Sequence, residues 1–373
     1  MTANERSKSL WQKFPFLPEN LWLNLLLLAV PVAFVLHYTH ASPVPIFVFA
    51  CLAIIPLAGI LGNATETLAA YSGPAIGGVL NATMGNAAEL IIAFFALRAG
   101  HIEVVKASLS GSIIGNILLV LGASILVGGI SREKQTFSRT VSSSNSTMLF
   151  IAAIGLIMPA VFDLSVHGNL REGHPDVARL SLWTSFVLMA VYLISFIFML
   201  KTHKPLFSVQ HGEEPSHKPA MSRKLALITL TVSTILIAFF SEMLVGKIEA
   251  VTKSIGLTEL FVGVIVVAII GNAAEHSAAI MVAHRNQMDL ALGIAVGSST
   301  QIALFVAPLL VMISSVMGNP MSLVFNAFEL AAIVLSVLIV EMISYDGETN
   351  WFEGAQLLAV YIILAISFYF VPG

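Results

Sequence analysis

Gly85-Asn86-Ala87-Ala88-Glu89 and Gly271-Asn272-Ala273-Ala274-Glu275 are the same five residues, 186 positions apart. The same offset, without a gap, sets Glu103 on Asp289, Gly111 on Gly297 and Ser112 on Ser298. Upstream, Thr65-Glu66-Thr67-Leu68 resembles Ser241-Glu242-Met243-Leu244, provided the second half carries an insertion of ten residues. Several matches in one register point to an internal duplication, and a duplication constrains the architecture before any single element does.

The surroundings of the repeat are apolar. Of 373 residues, 57% are hydrophobic and only 10% charged, with a mean hydropathy of +0.90. A water-soluble surface of this size needs far more charge, so the solvent is a bilayer. A helix needs about 20 apolar residues to cross the hydrocarbon core. On that length eleven spans are expected, at 22–38, 44–71, 74–99, 103–130, 146–163, 180–200, 223–250, 257–283, 290–315, 324–344 and 352–371. Two of them almost touch at Ser72-Gly73-Pro74. The fold class is therefore an all-α polytopic membrane protein. The N-terminus carries Arg6, Lys8, Lys13, Pro15 and Pro18 and no small-residue cleavage site, so the first span is expected to be retained. Cys51 is the single cysteine, which leaves disulfides no structural part.

The two pentapeptides fall in the third and eighth spans. They are five spans apart, an odd number, so the copies enter the membrane from opposite sides. Residues 1–43 hold the N-terminus and one extra helix. Residues 44–200 and 223–373 form two inverted five-helix repeats, joined by a loop at 201–222. Secondary transporters are built this way and bind substrate near the midplane, between the repeats. With a cytoplasmic N-terminus, twelve of the 18 Lys and Arg face the cytosol and six the other side, which favours that orientation. The loop then lies in the cytosol with His203, His211, His217, Glu213 and Glu214. It reads as a mobile surface segment, with metal sensing as the sharper alternative.

A charge held at the bilayer centre costs about 2.5–3.5 kcal/mol on the lowest scales, so such a residue is neutral, paired or facing a cation. One intramembrane Glu is often a structural hydrogen-bonding group. Glu89 and Glu275, at equivalent positions and each preceded by Gly-Asn, form one candidate carboxylate site. Gly85 and Gly271 let another helix or an ion approach the backbone. Asn86 and Asn272 add neutral carbonyl oxygens. This is a hard-oxygen environment suited to Ca²⁺. Two carboxylates match one divalent charge, and their mutual repulsion once the ion leaves makes them take up protons. Ser112, Ser298 and Gln301 extend the oxygen set, and Asn116 lies in the same span as Ser112. Ser112 and Ser298 can instead bond their own helix carbonyls. His276, directly after Glu275, either tunes protonation or is a packed, hydrogen-bonded residue. Glu103 and Asp289 begin helices, where the macrodipole favours acids; cap and funnel roles stay open. Glu329 and Glu341 have no partner in the other half, and lining a solvated crevice is the reading left for them.

Other classes fit poorly. A zinc protease needs two histidines at i, i+4 around a Glu; His276 and His284 are eight apart, with Ile280 at the intervening position. No phosphate-binding Gly-x-x-x-x-Gly-Lys-Ser/Thr loop occurs, and no basic tract suggests nucleic acid. No enzyme and no cofactor are expected. A channel differs in predicting uncoupled current.

At Gly85 to Ile91, Gly271 to His276 and Met288 to Ser299 the chain resembles the Ca²⁺/H⁺ antiporter (cation/proton exchanger) family of the calcium/cation antiporter superfamily. The likeness covers about residues 45–371. It implies that the signature glutamates bind the cation and that Glu66 and Glu242 assist proton exchange or ion access. It further implies export of Ca²⁺ from the cytosol, driven by entering protons. Sodium/calcium exchangers share the fold, but their signature resembles Gly-Thr-Ser-x-Pro-Glu, whose hydroxyls and proline are missing at 85–89 and 271–275. An exchanger coupled to Na⁺, or one carrying Mn²⁺, is the alternative. Without the long N-terminal extension of some eukaryotic members, a prokaryotic cytoplasmic membrane is expected, or a vacuolar one for a eukaryotic source. The loop at 201–222 holds only two acids where the family often carries an acidic helix. Homo-oligomerisation is left open.

Overall fold

The structure, a computed structural model, describes residue 17 and residues 21–170, 173–203 and 221–371. His211, His217, Glu213, Glu214 and Arg171 lie outside the described residues, so the loop reading at 201–222 meets the structure only at its edges. The expected spans all have helical counterparts. The first is a short apolar stretch in two pieces, α1 (Leu21–Leu26) and α2 (Ala29–Tyr38). It rests against the next helix, and Phe34 stacks on Phe239 at 4.9 Å.

The first repeat begins with α3 (Pro43–Gly73), followed by α4 (Ile76–Met84) and α5 (Ala87–Arg98), which meet at a 47° bend. Gly73, at φ 79° and ψ 170°, breaks the helix between α3 and α4, a backbone conformation open to glycine, and Pro74 biases the residue before it away from α geometry. Then come α6 (Ile102–Gly129), α7 (Arg139–His167) and α8 (Pro175–Ile197). The second repeat comprises α9 (Arg223–Val245), α10 (Ile248–Ile255), α11 (Glu259–His284), α12 (Met288–Val316), α13 (Ala327–Ser344) and α14 (Trp351–Phe370). The ten-residue insertion inferred from the repeat coincides with α10, a short helix that buries Ile248 and Val251 and packs against the stretch 43–84.

Equivalent helices play equivalent parts. α6 and α12 are the most enclosed spans, and α8 and α14 the least. α3 packs on its mate α9, and α7 on its mate α13. The C-terminal half of α6 packs on α14, and that of α12 packs on α8. Residues 115–120 of α6 and Ile302–Val306 of α12 are both π-helical, in register with the 186-residue offset. Such single-turn widenings recur at functional positions. The outer faces of α8 and α14 expose Trp183, Val187, Ile194, Ile363 and Phe370. Hydrocarbon accepts such side chains, while the helices satisfy their own backbone groups.

The connections sort into two ends. At one, the β-strands β1 (Gln135–Thr136) and β2 (Glu348–Thr349) pair antiparallel. Arg132 there donates to the His284 carbonyl at 3.1 Å, and the Ser138 N–H donates to Asp289 at 2.7 Å. At the other, His101 meets Glu259 at 3.3 Å and the Leu323 N–H donates to Ser181 at 3.0 Å. Helix α5 therefore ends where α11 begins. The opposed entry expected from the odd span count is present in the fold.

Candidate ion-binding site

Helices α5 and α11 cross where the pentapeptides lie. A Cβ added at Gly271 would sit 2.7 Å from Glu89 Cγ, and one added at Gly85 would sit 3.3 Å from Glu275 Oε1. Gly271 thus makes room for Glu89, while at Gly85 the Asn81 carbonyl oxygen, at 2.8 Å, crowds an added Cβ before Glu275 does. Both residues are partly exposed, but both Glu89 oxygens and Glu275 Oε2 are buried and have no hydrogen-bond partner among the described residues. A buried carboxylate oxygen without a donor is expensive in apolar surroundings. Cations or protons are the species that relieve it.

The asparagines are held in the same cross-repeat manner. Asn272 donates through Nδ2 to Ser112 Oγ at 2.9 Å and to the Ala268 carbonyl at 2.9 Å. Ser298 donates to Asn86 Oδ1 at 3.4 Å. So Ser112 serves the second asparagine and Ser298 the first. Both serines therefore make contacts between the repeats, Ser112 as an acceptor and Ser298 as a donor. Gln301 Oε1 accepts from Asn86 Nδ2 at 2.5 Å. Its repeat equivalent is Gly115, which has no side chain to offer. Asn116, one residue on, takes that place and donates to Asn272 Oδ1 at 3.5 Å. Asn116 Oδ1 in turn lies 3.1 Å from His276 Nε2, accepting the ring N–H.

Asn116 is the site neighbour that repeat logic misses, because its equivalent is Ile302. The composition of α6, where it follows Gly111-Ser112, was the available signal. The break at Gly85-Asn86 is the other surprise. The first pentapeptide straddles the bend between α4 and α5 and places Glu89 in the first turn of α5. The second lies inside the continuous helix α11, where backbone irregularity is confined to the π-helical Val262–Val267. Identical residues thus sit in two backbone states.

Several expected residues lie elsewhere. Glu66 and Glu242 are both exposed, on α3 and α9, each beside a buried hydroxyl, Thr65 or Ser241. Glu103 is exposed in the first turn of α6, and Asp289, in the first turn of α12, accepts from Ser138. Glu341 is exposed. Glu329 corrects the crevice reading. It is 1% exposed and forms a capping box with Asn326 at the start of α13. It also accepts a hydrogen bond from Ser110 at 2.6 Å. Its local sequence, Asn326-Ala-Phe-Glu329, is the spacing of a capping box, which accounts for an acid at that position.

Two inverted halves enclosing a duplicated carboxylate site define a multi-pass membrane ion transporter. Residues 42–201 and 225–370 match the sodium/calcium exchanger protein family, and the chain belongs to it. It is 46% identical over 360 residues to a Ca²⁺/H⁺ antiporter of Aphanothece halophytica, covering 93% of this chain and 96% of that one. It is 38% identical to a vacuolar calcium ion transporter of Schizosaccharomyces pombe, covering 94% and 85%. The solved structure of native YfkE superposes with a TM-score of 0.81 at 41% identity, covering 94% of this chain and all of that one.

Proposed function

We propose that the protein is a Ca²⁺/H⁺ antiporter in which Ca²⁺ and protons compete for Glu89 and Glu275. The observation that carries this is the pair of glutamates at one helix crossing, with three buried oxygens, both of Glu89 and Oε2 of Glu275, that no donor among the described residues reaches. Two carboxylates neutralise one Ca²⁺ or take up protons, and occupancy by one species excludes the other. That exclusivity couples the two fluxes. Asn86, Asn272, Ser112, Ser298 and Gln301 supply neutral oxygens or hold those that do, and Gly85 and Gly271 keep the crossing close. Glu66, Glu242 and His276 belong to the proton path, with Glu66 and Glu242 at exposed positions outside the crossing.

Residues 44–200 and 223–373 are the units that exchange conformations. The bent α4–α5 and the continuous α11 represent the two states of one motif, and alternating access interchanges them. The site is complete within one chain, so transport by this scheme needs no second copy. In the bilayer the N-terminus faces the cytosol, by the Lys and Arg distribution, and Ca²⁺ leaves the cytosol as protons enter. A prokaryotic cytoplasmic membrane is the setting this reading favours.

The test is Ca²⁺ uptake into inside-out vesicles under separately imposed H⁺ and Na⁺ gradients. Uptake should collapse with the pH gradient, persist without Na⁺, and be abolished by Glu89→Gln and by Glu275→Gln. Na⁺-dependent uptake would move the protein to the exchanger alternative. Wild-type uptake in either Gln variant would remove the site assignment.

A further inference from the structure

A second cluster of ligating side chains lies away from the crossing, at the end of the α7–α8 hairpin. Asp163 and His167 are one turn apart at the end of α7, and His174 immediately precedes α8. His167 Nδ1 lies 3.0 Å from Asp163 Oδ1, and His174 Nδ1 lies 2.8 Å from the same oxygen. The two imidazoles stack with centroids 3.8 Å apart and planes within 13° of parallel. Asp163 is fully buried, whereas both histidines are partly exposed. All three ligand atoms fall within 4.8 Å of one another.

We propose that Asp163, His167 and His174 form a binding site for a borderline divalent transition metal, with Zn²⁺ as the type. The donor set decides the metal class. Two imidazole nitrogens and one carboxylate oxygen suit Zn²⁺, Ni²⁺ or Co²⁺, whereas Ca²⁺ prefers an all-oxygen shell. Geometry agrees. In a tetrahedral site with bonds of about 2.0–2.1 Å, ligand atoms stand about 3.3 Å apart. The two nitrogen–oxygen separations here are 2.8 and 3.0 Å, so those edges open by a few tenths of an ångström to admit the ion, the nitrogen–nitrogen edge lies within 4.8 Å, and the stacked rings turn towards the ion. Metal binding takes the Nδ1 lone pairs, so each neutral ring carries its one proton on Nε2 in place of Nδ1, and the pair releases none to water.

Two surrounding features support the assignment. Asp176, in the first turn of α8, places Oδ2 3.4 Å from His167 Nε2. That is the outer carboxylate which commonly fixes the orientation of a metal-bound imidazole. His174 also lines a cleft with Pro175, Val177, Pro320 and Ser322, which gives an ion a path from solvent. Three protein ligands leave the fourth position to water. The site shares no residue with the Glu89–Glu275 crossing, so it stands or falls separately from the transport reading.

The experiment is Zn²⁺ titration of the purified, tag-free full-length protein in detergent micelles. It is read by calorimetry and by the visible absorption of Co²⁺ used in place of Zn²⁺. Wild type should bind one equivalent with tetrahedral Co²⁺ absorption, and Glu89→Gln/Glu275→Gln should retain that equivalent. His174→Ala should weaken it at least tenfold and abolish the absorption, while H⁺-driven Ca²⁺ uptake continues and confirms folding. His167→Asn is the second variant, and the same loss is expected. The proposal is overturned if His174→Ala and His167→Asn bind Zn²⁺ as wild type does, or if wild type shows no tetrahedral Co²⁺ signal. In either case the three residues are a hydrogen-bonded brace for the hairpin.

Discussion

Replacing Gly271 with Ala places a methyl group where Glu89 now lies. The added Cβ would stand 2.7 Å from Glu89 Cγ, 3.6 Å from its Cδ and 3.7 Å from its Cα. An ordinary carbon–carbon contact is about 3.5–4.0 Å, so the two helix backbones can stay and Cγ must retreat by roughly 0.8–1.3 Å. The carboxylate moves with it. Ca²⁺–oxygen bonds span only about 2.3–2.6 Å, so a ligand displaced by an ångström leaves the shell. Losing one of two carboxylates should weaken apparent Ca²⁺ affinity by at least tenfold, about 1.4 kcal/mol. Propensity runs the other way, since Ala favours a helix interior by about 1 kcal/mol over Gly. The variant should therefore fold and insert normally. Gly297→Ala is the matched control, because a Cβ there meets nothing within 4 Å. The assay is labelled Ca²⁺ uptake into inside-out vesicles against Ca²⁺ concentration, at a fixed pH gradient and equal protein content. Wild-type affinity in Gly271→Ala, or equal damage from Gly297→Ala, would refute the claim that this glycine exists to seat Glu89.

Acidifying the Ca²⁺-loading side should raise the apparent KM for Ca²⁺ and leave the maximal rate unchanged, as competition requires; a KM independent of pH, measured in the same vesicles, contradicts a shared site. Gln301→Leu should lower Ca²⁺ affinity, since it removes the acceptor 2.5 Å from Asn86 Nδ2 and leaves that amide the Ala82 carbonyl at 3.3 Å, and flux against Ca²⁺ concentration reads this directly. Ser110→Ala removes the donor 2.6 Å from buried Glu329, which should destabilise the fold by about 1–3 kcal/mol; Tm should fall while the KM for Ca²⁺ is unchanged. Lys134→Ala breaks an exposed pair, 2.7 Å from Glu348, and thermal unfolding at physiological salt should be indistinguishable from wild type because solvent already screens it.

Much of this protein is written in its repeat. An identical pentapeptide at a fixed offset, in a chain with too few charges for water, sets the membrane class, the two halves and, through the odd span count, their opposition. Hydropathy places the spans because hydrocarbon tolerates no unsatisfied backbone, which leaves each span helical. The Gly73 break and the ten-residue insertion were legible for the same local reasons, backbone freedom and register. The two glutamates were legible because an intramembrane charge needs a purpose.

Only the tertiary structure decided who meets whom. That Gly271 backs Glu89 and Gly85 backs Glu275 depends on the crossing of two helices far apart in sequence. The exchange of partners between Ser112 and Asn272, and between Ser298 and Asn86, depends on it too. Identical residues also settled into a bent pair and a straight helix, because packing around each copy, not its sequence, selects the backbone. Glu329 went from an unexplained acid to a cap once its neighbours Asn326 and Ser110 were in place. The Asp163–His167–His174 cluster is local only in part: Asp163 and His167 are neighbours at i, i+4 on one helix, and only the fold of the hairpin brings His174 onto the same oxygen.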